Sequence, residues 1–221
     1  MVRGVIFDLD GVLVTTDEFH YLSWKKVADA EGIYFDREIN HRLRGVSRMI
    51  SLEIVLERSP RQYSDQEKLA LAERKNTIYR NLLDRLGPGD ALPGAIPLIE
   101  DLRRAGVRIA IGSSSKNTRY IIERLEIGPL LDAIVDGNDI RQSKPDPEVF
   151  LTAAARLGLP PADCVVVEDA EAGLEAARRA GMRVVALGPA VRGLPSDLWA
   201  ESLAAVNCRQ LLELPARADR A

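Results

Sequence analysis

The octapeptide Val5-Ile6-Phe7-Asp8-Leu9-Asp10-Gly11-Val12 leaves few folds open to this chain. Its first three residues are β-branched or aromatic and form a short, unbroken apolar run, the pattern of a strand buried on both faces. Such strands belong to open α/β sheets, whose ligands bind beyond the strands' carboxyl ends. At that end stand two aspartates, one residue apart. Carboxylates so close repel each other unless a cation lies between them, and Asp side chains and backbone carbonyls are oxygen donors that suit Mg²⁺. An aspartate screened in this way can also attack phosphorus. Gly11 permits the tight turn that follows. Taken alone, the same residues describe an ordinary polar turn at the end of a strand.

Beyond Gly11 the period becomes helical. Asp17 suits the N-cap of a helix over 18–31 closed by Gly32, with His20, Trp24, Val27 and Ala28 on one face. A short helix follows, then a polar break at Leu43-Arg44-Gly45-Val46-Ser47-Arg48 and a helix from Ser47 to about residue 58. Ser64, with Gln66-Glu67 in the first turn, caps a long helix reaching about Leu86. On it Leu71, Lys75, Ile78, Tyr79, Leu82 and Leu86 share a stripe. Lys75 either snorkels to water past buried methylenes or aims its ammonium into a cleft, and spacing does not choose. On spacing alone, a His on such a stripe is usually a packed, hydrogen-bonded residue, and the functional reading is the less common one.

After Gly87-Pro88-Gly89-Asp90 and Pro93-Gly94, strands alternate with helices. The pattern predicts a helix over 95–105, a strand over 107–111, a loop Ser113–Asn117 opening a helix to 126, and a strand at 134–135. A helix after Pro147, a strand at 164–167 and a helix over 171–180 come next, before a strand at 184–187. Ala204-Ala205-Val206 is expected as an edge strand, Cys208 to Leu214 as a last helix, and the tail from Pro215 as loose. The fold class is α/β: a doubly wound, mainly parallel, Rossmann-like core formed by residues 1–15 and 89–221. An all-helical cap over 16–88 is inserted into it. Right-handed crossovers bring the strand ends together on one edge, and each end releases chemistry: Asp8 and Asp10, then Ser113, then Glu168 and Asp169. Lys144 stands just before a helix. A Ser in a helix-opening loop can bind phosphate, aided by the loop N–H groups, and a Lys supplies a point charge for phosphoryl oxygens. Separately these residues read as a helix cap, a surface charge and a solvated turn; their order argues for one site.

That order resembles the four motifs of the haloacid dehalogenase-like superfamily, over residues 1 to about 188. Thr16, His20 and Trp24, the stretch Leu43 to Leu52, Arg74-Lys75-Asn76 and Ser115-Lys116-Asn117 are in turn similar to its β-phosphoglucomutase family. The resemblance implies that Asp8 is the nucleophile and that Asp10 is the general acid/base, lending its backbone carbonyl to a Mg²⁺ held with Asp8, Glu168 and Asp169. It implies that Ser113 and Lys144 hold the transferring phosphoryl group. Arg48, Ser115, Lys116 and Asn117 would grip the other phosphate. Trp24, Gly45, Val46 and Ser47 would join the substrate pocket, and Thr16, His20 and Lys75 would steer Asp10. The implied substrates are β-glucose 1-phosphate and glucose 6-phosphate, with β-glucose 1,6-bisphosphate as intermediate and activator. The resemblance fades beyond about Gly193.

Composition excludes other classes. A net charge of −3 leaves no basic footprint for nucleic acid. No apolar run is long enough to span a membrane. Asp8 and Asp10 interrupt the N-terminal apolar run, so no secretory signal is expected. Cys164 and Cys208 are expected as free thiols in a reducing, cytoplasmic setting, and the chain as a monomer. Two further readings stay open: a sugar-phosphate phosphatase on the same scaffold, and a non-catalytic binding protein, against which intact Asp8 and Asp10 argue.

Overall fold

In the computed structural model, which describes residues 1–215, Gly4–Phe7 forms strand β1 and every one of its residues is buried. Four helices follow it: α1 (Asp17–Ala30), α2 (Arg37–His41), α3 (Arg48–Leu56) and α4 (Asp65–Leu83). They pack around an apolar cluster of their own, including Trp24, Val27, Ile33, Phe35, Leu52 and Leu71. The cap of α4 is the expected one: Ser64 Oγ accepts from Glu67 N, and the Glu67 carboxylate accepts from Ser64 N. The helix ends three residues short of Leu86, and Leu83 rather than Leu82 is the fully buried residue of its last turn. Tyr79, Leu83 and Leu86 join a second cluster beneath β1, so one long helix spans both cores.

The start of α1 differs from expectation. Asp17 is its first residue, and Thr16 takes the N-cap position without capping it. The Thr16 hydroxyl is committed elsewhere, to Asp10 and Tyr79.

From residue 95 the chain alternates: α5 (Ala95–Arg104), β2 (Arg108–Gly112), α6 (Thr118–Leu125), β3 (Ala133–Val135), α7 (Glu148–Leu157), β4 (Cys164–Glu168), α8 (Glu171–Arg179), β5 (Arg183–Leu187), β6 (Leu198–Ala200) and α9 (Cys208–Leu212). The six strands form one sheet in the order β3-β2-β1-β4-β5-β6, with every pairing parallel. Side chains alternate across it. Val5, Phe7, Ile109, Ile111, Val165 and Val167 pack on the layer holding α5 and α6. Ile6, Ala110, Val166 and Val184 pack on the layer holding α7 and α8.

Two expectations at the C-terminus are corrected. Leu203–Ala205 is a single 3₁₀ turn, not a strand, and the edge strand is Leu198–Ala200, paired with β5. Alanine has little β preference, whereas Leu203 and Val206 gain more by burial in the cluster that contains α5. Pro215 is tied in, its carbonyl accepting from Arg183 Nε at 2.8 Å; the remainder of the expected loose tail lies outside the described residues. Cys164 and Cys208 are both free. Among the described residues no helix is long and apolar enough to cross a membrane.

Candidate active site

The strand order changes direction between β1 and β4, the position at which open α/β sheets bind ligands. Phe7 is in register with Ile111 of β2 and Val167 of β4. One step further, Asp8 therefore leaves β1 beside Glu168, while β2 ends in Gly112 and delivers Ser113. Asp8, Ser113, Lys144 and Glu168 are all buried there. Lys144 Nζ donates to Asp8 Oδ1 at 2.5 Å and to Glu168 Oε2 at 2.7 Å. The other Glu168 oxygen accepts from the backbone N–H groups of Asp169 and Ala170, at 3.0 and 3.1 Å. Burial, and then the charge of Glu168, pushes Asp8 up to about 7. Burial, then Glu168 and Asp8, pushes Asp169 up to about 9. Burial alone would lower the pKa of Lys144, but Asp8 and Glu168 outweigh it and hold the ammonium above its ordinary range.

Gly11 makes this crowding possible. Its φ is +89°, and a Cβ on it would lie 2.0 Å from Asp169 Oδ2, so a side chain is excluded both by conformation and by space.

The Asp10 carboxylate is clamped by the start of α1. Thr16 N donates to Oδ1 at 2.6 Å, and Thr16 Oγ1 donates to Oδ2 at 2.7 Å. His20 Nε2 stands 3.6 Å from Oδ2. Burial raises the pKa of Asp10, against the Thr16 hydrogen bonds that lower it. Lys75 does not snorkel: it is 3% exposed, and its Nζ lies 2.9 Å from His20 Nδ1. Burial lowers the pKa of Lys75 well below its ordinary value; as an ammonium it donates, Nδ1 accepts, and the ring proton then sits on Nε2, facing Asp10. Burial, with the charges of Lys75 and Arg48, depresses the pKa of His20, which keeps the ring neutral. Trp24 is 1% exposed, and its ring faces Lys75 Nζ at 5.3 Å.

A second polar group closes the far side. Arg48 NH2 donates to Asn76 Oδ1 at 2.8 Å, and Asn117 Nδ2 donates to the same oxygen at 3.0 Å. Ser113 Oγ accepts from Ser115 N and Ser115 Oγ from Asn117 N, each at 3.2 Å, so the loop before α6 is wound on its own hydroxyls. Lys116 is exposed at this rim. Ser47 Oγ caps α3 through Ile50 N. Gly45 has φ +73°, and a Cβ on it would come 3.2 Å from that of Ala170, so the loop before α3 lies directly on the start of α8. One cavity of about 540 Å³ unites these groups. Asp8, Asp10, His20, Trp24, Gly45, Val46, Ser47, Arg48, Lys75, Ser113, Ser115, Lys116, Asn117, Lys144, Glu168 and Asp169 all line it, and Thr16 stands behind Asp10.

The family model described as haloacid dehalogenase-like hydrolase matches residues 2–181. The chain belongs to the haloacid dehalogenase-like hydrolase family. Within that family it is 45% identical, over 89% of its own length and 88% of the relative's, to the β-phosphoglucomutase of Bacillus subtilis strain 168. It is also 31% identical, over 82% of its length and 94% of the relative's, to a fructose-1-phosphate phosphatase of Escherichia coli K12. The crystal structure of β-phosphoglucomutase from Clostridium difficile superposes with a TM-score of 0.92 at 35% identity, covering 96% of each chain.

Haloacid dehalogenase-like enzymes generally use a divalent metal, and the residues here fit one. Carboxylate oxygens of Asp8, Glu168 and Asp169 lie within 4.8 Å of one another. Among the described residues no hydrogen bond or ion pair reaches the Asp169 carboxylate, although burial and its neighbours' charges raise its pKa. An all-oxygen set carrying uncompensated negative charge suits a hard cation.

Several residues of the cavity and its wall carried no functional role in the sequence, Asn76, Tyr79, Asp17 and Arg44 among them. Asn76 was visible as part of the Arg74-Lys75-Asn76 stretch but was given no role, and Tyr79 only as one apolar position of a stripe. Asp17 read as a cap, yet its carboxylate receives Arg44 NH2 at 2.7 Å. Arg44 itself was visible only as part of the polar break.

Proposed function

We propose that this chain is a β-phosphoglucomutase, interconverting β-D-glucose 1-phosphate and D-glucose 6-phosphate through β-glucose 1,6-bisphosphate and an aspartyl phosphate at Asp8. The observation that carries the reading is the pair of separate cationic groups in one cavity, Lys144 at Asp8 and Arg48 with Asn76 and Asn117 at the far side. A phosphatase needs only the first. A mutase must also hold the phosphate that is not reacting, at either end of a bisphosphate that turns round. The 45% identity to a β-phosphoglucomutase supports the same reading.

In the cycle, the C6 hydroxyl of β-glucose 1-phosphate attacks phosphorus on phospho-Asp8. Asp10 takes the hydroxyl proton as the new O–P bond forms and the bond to Asp8 breaks. The bisphosphate turns, and Asp8 attacks the C1 phosphate. The C1 O–P bond breaks, and Asp10 returns its proton to the leaving oxygen. Lys144 and Ser113 hold the transferring group, while Arg48, Ser115, Lys116 and Asn117 hold the other phosphate. Thr16, with His20 and Lys75, keeps the Asp10 carboxylate facing the sugar oxygen. Mg²⁺ held by Asp8, Asp169 and the Asp10 carbonyl, with Glu168 beside them, would screen the carboxylates and neutralise charge on the phosphoryl oxygens.

Residues 16–88 act in this scheme as a cap over a core of residues 1–15 and 89–221, and the enzyme works as a cytoplasmic monomer. Arg48→Ala tests the second grip. Loss of a charge-assisted contact costs about 1.5–3 kcal/mol, so formation of glucose 6-phosphate should fall roughly tenfold to a hundredfold. Hydrolysis of acetyl phosphate, which has no second phosphate to hold, should change little. Equal losses in both assays would remove Arg48 from that role and favour the phosphatase reading.

A further inference from the structure

The wall behind Asp10 contains a group that the cycle above leaves unused. Tyr79, on α4, is 1% exposed, and its hydroxyl lies 2.7 Å from Thr16 Oγ1. The direction of that bond follows from the proton count. A threonine hydroxyl has one proton and two lone pairs, and an ionised carboxylate only accepts. Thr16 therefore gives its proton to Asp10 Oδ2, and Tyr79 must donate to Thr16. Burial holds the Tyr79 hydroxyl well above its ordinary pKa, so the donor keeps its proton. The ring has little freedom: the His20 ring centre is 4.2 Å away, tilted 42°, and Lys75 Nζ is 4.2 Å from the Tyr79 ring centre.

We propose that Tyr79 is a positioning residue for the acid/base step, its hydroxyl fixing the Thr16 rotamer that holds the Asp10 carboxylate in place. The inference rests on Asp10 being the general acid/base. It makes α4 a direct support of Asp10: one face carries Lys75, which orients His20, and the next turn carries Tyr79, which orients Thr16. Both supports converge on Asp10 Oδ2, from one helix that lies 55 and 63 residues downstream of its partners. The competing role for Tyr79 is packing alone, since its ring belongs to the apolar cluster beneath β1.

Tyr79→Phe separates the two, because it keeps the ring and deletes only the donor. The measurement is rapid-quench formation of phosphoenzyme on the full-length protein, from β-glucose 1,6-bisphosphate and from acetyl phosphate. A sugar oxygen leaves with a proton from Asp10, whereas acetate leaves without one. The variant should be about tenfold slower from the bisphosphate and within about twofold of wild type from acetyl phosphate. Its Tm should stay close to wild type. In a Thr16→Val background, where the relay is already cut, Tyr79→Phe should cost nothing further. Equal slowing with both donors, no slowing with either, or full additivity with Thr16→Val would overturn the proposal. If wild type released free phosphate from β-glucose 1-phosphate as fast as it formed glucose 6-phosphate, the mutase reading would fall. The comparison of donors would still judge Tyr79, because a phosphatase also protonates its leaving group at Asp10.

Discussion

Around Asp8, three carboxylates and one ammonium share a volume largely closed to water. The surplus negative charge decides how the site responds to pH. Without a cation, burial and mutual repulsion push Asp8 to about 7 and Asp169 to about 9, so the folded protein retains protons there that an unfolded chain loses near pH 4. A carboxyl group whose folded pKa is raised favours the fold at low pH and ceases to as pH climbs through the raised value. A cation competes with those same protons, so its binding tightens over the same window. Saturating Mg²⁺ should therefore raise Tm more at about pH 9 than at about pH 6. Equal shifts at both would mean that these carboxylates do not form the cation site. Asp8, Lys144 and Asp169 were legible in the sequence because each follows a strand or opens a helix, where a charged residue has no role in the core. Tyr79 and Asn76 were not. A tyrosine in an apolar stripe carries no mark of a polar task, and its partner Thr16 lies 63 residues away.

Among the elements, α4 bears the most responsibility, since within five residues it presents Lys75, Asn76 and Tyr79 to the cavity and its wall. Its position depends on burial of Leu71, Ala72 and Leu83 and on the capping box at Ser64. Ser64 lies eleven residues, about 16 Å along the helix, before Lys75, and it does not line the cavity. Ser64→Ala should cost about 0.5–2 kcal/mol and lower Tm by roughly 1–8 °C. Turnover at 25 °C should be unaltered; a parallel loss of turnover would mean that the helix start is coupled to the site. The box was readable because Ser, Gln and Glu stand at fixed offsets before an apolar run. The edge strand was not. Leu198–Ala200 is only three residues long, too short to show a period, and Ala204–Val206 is an equally short apolar run with nothing local to tell the two apart. The start of α1 misled for a different reason: Thr16 gives up its capping hydroxyl to Asp10, and no local signal announces that.

Across the whole molecule, the helical segment packs beneath β1 through Tyr79, Leu83 and Leu86, receives Tyr120 and Arg124 of α6 at Asp84 and Leu86, and touches the core again around the cavity. Gly45 lies against Ala170, Asn76 accepts from Asn117, and Thr16 grips Asp10. Together they border the cavity at the sheet's switch point, with Lys144 and Arg48 lining one volume. An enclosed site protects an aspartyl phosphate from water, and a bisphosphate that must turn round requires those contacts to open between its two transfers. That requirement separates the proposed cycle from simple hydrolysis. The most direct test follows glucose 6-phosphate and free phosphate in the same sample, with wild-type protein, Mg²⁺, β-D-glucose 1-phosphate and a trace of β-glucose 1,6-bisphosphate. Glucose 6-phosphate should accumulate at a rate that depends on the bisphosphate while free phosphate stays at background. Phosphate released as fast as the isomer forms would contradict the assignment.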